Sequence, residues 1–110
     1  MNTPYDQALD HIRRHPGSGS AVGLGKLILS LFNGYECPFS YRECVDPLDS
    51  ERIRIALACV THFTERAEDQ ALIDAGNEVY KLMPHLWQIG AAGYVAKEEA
   101  RRKQYEEKDE

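Results

Sequence analysis

Three cysteines, four histidines and a glycine-containing stretch ending in lysine are the residues whose types could carry chemistry in this chain. His11 and His15 stand at i, i+4, the spacing at which two imidazoles on one helix reach a common metal ion. The zinc-protease pattern also needs a glutamate directly after the first histidine, where Ile12 stands instead, and Arg13 and Arg14 would repel a cation. Cys37 and Cys44 fit no standard zinc-knuckle spacing, although a mixed site that adds a histidine is compatible with it. Cys59 and His62 would share a helix face, but a thiol nucleophile also needs an oxyanion hole, and no catalytic string accompanies the pair. Gly19 to Lys26 invites comparison with a phosphate-binding loop. It has Ser20 where that loop needs glycine and Leu27 where it needs a hydroxyl, and no strand precedes it. The expected active-site residues, cofactors and metals are therefore none.

Two other features point to binding rather than catalysis. Between Glu65 and Glu78 lie Glu65, Glu68, Asp69, Asp74 and Glu78, opposed by Arg66 alone. Acids favour the first turn of a helix, which is the ordinary explanation; the functional one is an acidic face that docks a basic protein surface. Tyr35, Phe39, Tyr41 and Arg42 form an aromatic and arginine cluster on an irregular loop, the residue types enriched at binding hot spots.

The elements that must position these residues all read as helices. Thr3, Pro4 and Asp6 give a capped start, and Tyr5, Ala8, Leu9 and Ile12 follow as one apolar stripe that ends at His15-Pro16-Gly17. Residues 17–20 form a joint whose last serine, Ser20, caps a very apolar helix from Ala21 to Asn33. Ser40 and Glu43 match a capping box, so a single turn starts there. A third long helix, to about Thr64, carries Ile53, Ala56, Leu57, Val60 and Phe63 as its core stripe. A fourth, from Glu68 to Leu82, turns Leu72, Ala75, Val79 and Tyr80 inward; Pro84 interrupts it or starts a fifth that carries Leu86, Ile89, Gly93 and Tyr94. The expected architecture is all-α, one compact bundle of four to five helices over residues 1–96, with 97–110 as a charged helical tail that frays.

The chain has 110 residues, enough for one domain with a true core. Thirteen basic and eighteen acidic residues give a net charge of −5, which argues against a nucleic-acid backbone as the partner. No apolar run is long enough to span a membrane. An odd number of cysteines with no secretory signal implies reduced thiols and a cytoplasmic setting.

Residues 17–63 resemble an uncharacterised family of small proteins found on bacterial plasmids, integrative elements and prophages. The resemblance is carried by the glycine-serine joint 17–20, the apolar helix ending in Leu31-Phe32-Asn33, then Glu36-Cys37 with Phe39, and an acidic position at Asp49. It implies a mobile-element setting, where small acidic helical proteins often bind host proteins, anti-CRISPR inhibitors among them. The expected function is a protein-interaction module that occludes a host or element-encoded protein. The alternatives are a homodimer or larger homo-oligomer, packed through helix two and Gly90-Ala91-Ala92-Gly93, and a metal-binding or enzymatic domain using the histidines and cysteines.

Overall fold

The computed structural model describes residues 3–108, and the chain folds into six helices in the order α1 Pro4–Arg14, α2 Gly19–Asn33, α3 Tyr41–Val45, α4 Ser50–Arg66, α5 Gln70–Leu82 and α6 Pro84–Lys108. The all-α class holds, and the count rises from the expected four or five to six for two local reasons. The turn at Ser40 is a helix of its own, with the Ser40 hydroxyl accepting from the Glu43 amide. Pro84 opens α6 at its first position, where a missing N–H costs nothing, rather than kinking α5. Helix α6 continues without a break through Ala96–Lys97, and residues 109–110 of the expected tail lie outside the described residues.

Side-chain caps fix most helix starts. Thr3 and Asp6 form a reciprocal capping box, and Asp49 and Asp69 accept from the amides of Arg52 and Leu72. Helix α2 begins two residues before the expected point: Ser18, not Ser20, is its cap. This frees the Ser20 hydroxyl for His11 of α1, 2.7 Å away.

Helix α2 is the centre of the bundle, with Leu24, Ile28 and Leu29 fully buried and α1, α3, α4, α5 and α6 all packed on it. Gly23 lets the α3–α4 connection lie directly on its backbone: a Cβ there would collide with the Cys44 carbonyl oxygen and stand 2.9 Å from Pro47 Cγ. Helix α1 runs antiparallel to α2 and α4 and parallel to α5. Tyr5 meets His62 near the end of α4, while Arg13 reaches Glu78 on α5 at 3.1 Å. One end of the bundle therefore gathers the start of α1, the end of α2 and the α4–α5 corner.

Helix α4 is rotated relative to its expected stripe. Ala56 and Cys59 are buried, whereas Leu57 is 51% exposed and Ile53 also faces outward. Small side chains on the inner face let α4 approach α1 closely, and the Arg52–His11 hydrogen bond at 3.1 Å holds that rotation. Tyr80 and Ile89, also expected inside, are about half exposed. The long α6 overshoots the bundle and stretches it to 55 × 29 × 25 Å. Its radius of gyration, 15.2 Å, exceeds the roughly 13 Å of a compact chain of this length.

Tyr5 is completely buried and its hydroxyl has no hydrogen-bond partner among the described residues. Burial, with Cys59 and Asp69 adding to it, pushes the phenol up to about 12. Tyr5→Phe removes an unsatisfied buried group without leaving a cavity, so it should raise stability by about 1 kcal/mol in urea denaturation.

Candidate functional site

The residues with catalytic potential are held in structural roles. Arg52 Nε–H is always a donor, so His11 Nδ1 must accept from it, and the proton on Nε2 then goes to Ser20 Oγ. Both ring nitrogens of His11 are occupied, leaving none for a metal. Burial, then Arg52 and His15, hold the His11 imidazolium below its ordinary range, against the opposing pull of Asp49 and Asp10. His15 lies alongside, ring centroids 4.8 Å apart. Among the described residues no group of three or more histidine, cysteine, aspartate or glutamate side chains is placed to hold a metal ion.

The thiols are free, buried and desolvated. Cys37 lies under α6, where a Cβ on Gly90 would stand 2.9 Å from its sulfur, while Cys44 sits beside α2. Burial pushes the Cys44 thiol up to about 11 and Cys59 to about 12, the opposite of what activates a nucleophile. His62 does not turn to Cys59; its Nε2 pairs with Asp69 Oδ2 at 2.8 Å and its ring stands edge-on to Tyr5. The stretch Gly19 to Lys26 is helical from its first residue, so its amides are not arranged as a phosphate cradle.

The expected binding residues divide into free and engaged. Glu65 and Glu68 are exposed at the α4–α5 corner and form no ion pair among the described residues. Asp74 is exposed and accepts from Gln70 at 2.8 Å. Asp69 caps α5 and binds His62, and these bonds hold its carboxyl below the usual range. Glu78 is tied to Arg13. Asp69→Ala is therefore expected to lower the thermal midpoint, while Glu68→Ala leaves it unchanged, which parallel melting curves would read.

The loop cluster is engaged to different degrees. Tyr35 is 65% exposed and leans on Tyr94 of α6, ring centroids 5.0 Å apart. Phe39 turns inward beneath the Lys26 ammonium, 5.4 Å from its ring centre. Tyr41 and Arg42 face outward on α3, and Arg42 pairs with Asp46 at 3.4 Å.

One constellation was not expected from sequence. Phe32 and Asn33 at the end of α2, Asn77 and Tyr80 on α5, and Trp87 on α6 line an open slot of about 310 Å³. The Tyr80 and Trp87 rings stand at 88° with centroids 5.4 Å apart. Phe32 fits over Gly76, where any Cβ would strike its ring. Asn33 is braced by Glu36, its amide donating to the carboxylate at 3.2 Å and its carbonyl accepting from the Glu36 amide. Sequence pattern placed Phe32 and Tyr80 in the core, and the one local hint was Gly76, four positions before Tyr80.

Against this geometry, no protein-family model, no curated protein and no solved structure matches the chain.

Proposed function

We propose that the chain is an acidic protein-interaction module acting by stoichiometric occlusion of a basic protein surface, and not an enzyme. The observation that carries this reading is that Glu65 and Glu68 at the α4–α5 corner and Asp74 further along α5 form no ion pair among the described residues, in a chain of net charge −5. Folding uses Asp69 and Glu78 but not these three. An unpaired acidic corner speeds encounter with a basic partner and selects against acidic ones. The desolvated thiols and the fully bonded His11 support the non-enzymatic side of the reading. A bacterial mobile-element setting, with a host or element-encoded protein as the target, belongs to the same proposal and rests on the resemblance of residues 17–63.

The test is affinity capture from host lysate with the wild type and with Glu65→Lys/Glu68→Lys/Asp74→Lys. A stoichiometric partner that is lost on raising salt, and bound about tenfold more weakly by the triple variant, is the expected result. Equal binding by the two proteins would sink the acidic face. Self-association is the second reading, favoured by Ile89 and Val95, both about half exposed on α6. Light scattering that gives a monomer mass at high concentration would remove it.

A further inference from the structure

We propose that the slot formed by Phe32, Tyr80 and Trp87 receives an arginine side chain from a basic segment of the partner protein. The proposal rests on the reading of the chain as an interaction module and names the residue it grips. Three features of the slot converge on a planar organic cation. Its walls are aromatic and come from three different helices, and ring quadrupoles attract a cation placed over their faces. Its α2 side is the C-terminal end of that helix, where the macrodipole is negative, and the last turn of α2 contains no basic residue to answer it. Beside the lining residue Asn33 stands the carboxylate of Glu36, which accepts from the Asn33 side-chain N–H at 3.2 Å.

Within this frame, guanidinium suits the slot better than ammonium. A flat group lies face to face on one aromatic ring where an ammonium meets it only at a point, and its five donors fan outward within its own plane. Asn77 is exposed on the rim with no hydrogen-bond partner among the described residues, so its carbonyl is free to accept one of those donors. The nearest basic residue in sequence, Lys81, does not line the slot and leaves the cation's place open. Charge agrees as well, since a chain of −5 draws in basic segments.

Trp87 is the only tryptophan of the chain, so its indole N–H resonance and its fluorescence both report on this slot alone. The experiment titrates the full chain with an acetylated, amidated Gly-Arg-Gly peptide, and with counterparts that carry lysine or the neutral isostere citrulline. A saturable shift of the Trp87 indole signal is expected with arginine, with affinity about tenfold above citrulline and lysine in between. Tyr80→Ala should weaken the arginine peptide about tenfold while leaving the unfolding curve in place, because Tyr80 is 49% exposed. Asn77→Ala should weaken it less and keep the aromatic walls intact. An equal response to citrulline, or no response, overturns the proposal. So does a Trp87 shift that depends on protein concentration without peptide, which would give the slot to a second copy of the chain. The Glu65/Glu68/Asp74 charge-reversal variant should bind the peptide as the wild type does. Loss of partner capture with intact peptide binding would then implicate the acidic corner alone, and loss of peptide binding with intact capture would strike only the slot.

Discussion

Gly23→Ala is expected to destabilise the fold by about 2 kcal/mol, although alanine is the better helix former by about 1 kcal/mol. The added methyl would collide with the Cys44 carbonyl oxygen and stand 2.9 Å from the Pro47 ring, and neither backbone nor proline can rotate aside. The α3–α4 connection must lift off α2, which loosens Leu48 and the buried Cys44 beside it. Gly25→Ala is the internal control. It lies two residues further along the same helix, and its Cβ would meet the end of the Met83 side chain and Leu86 Cδ1 at 3.0 Å. A methionine tip swings away cheaply, so this variant should stay within about 1 kcal/mol of the wild type. Urea denaturation of both would separate the explanations: equal losses would mean that helix α2 dislikes alanine for reasons other than its neighbours.

His11→Ala should cost about 2 kcal/mol, because it leaves a small cavity between α1 and α4 and strips Arg52 Nε and the Ser20 hydroxyl of their partner. Arg52 keeps its bonds to Glu51 and Asp49, which limits the loss. The same residue gives the wild type a pH dependence of definite sign. Folding lowers the His11 pKa, so the unfolded chain binds the proton more readily, and a protonated Nδ1 can no longer accept from Arg52. The His11 contribution is complete above its unfolded value of about 6.5 and is lost as pH falls from there through the lowered folded value. Stability of the wild type should therefore decline on the acid side of that point, and His11→Gln, which keeps an amide to bond but does not titrate, should flatten the decline. An unchanged slope in the glutamine variant would assign the effect to another group.

The helix starts at Thr3 and Ser40 were legible because caps are local, Thr3 with Asp6 and Ser40 with Glu43 acting within three residues of themselves, whereas two serines competed at the start of α2 and Ser18 took the cap. Which way a helix faces was not local. Helix α4 carries apolar residues on more than one side, and the choice of Ala56 and Cys59 over Leu57 is made by packing against α1 and by a bond between residues 41 apart in sequence. The acidic segment was readable as a segment, but nothing in its pattern separates Asp69 and Glu78, which hold the fold together, from Glu65, Glu68 and Asp74, which do not. The aromatic slot was illegible for the same reason. Phe32 and Tyr80 look like core within their own helices and Trp87 stands beside the apolar face of its own, and only tertiary assembly leaves the three sharing a concave surface.

The three buried thiols, each pushed above its ordinary range by burial, turn the chain into its own recorder of opening events. A disulfide reagent such as a nitrobenzoate can react only after a sulfur reaches solvent, so its rate at low reagent excess measures how often that part of the fold unlatches. Cys37 is covered by α6, Cys44 lies at the α2–α3 junction and Cys59 lies on the inner face of α4, so each keeps time for a different helix. If α6 peels away by itself, Cys37 is labelled first; simultaneous labelling of all three means that the bundle opens as one cooperative unit.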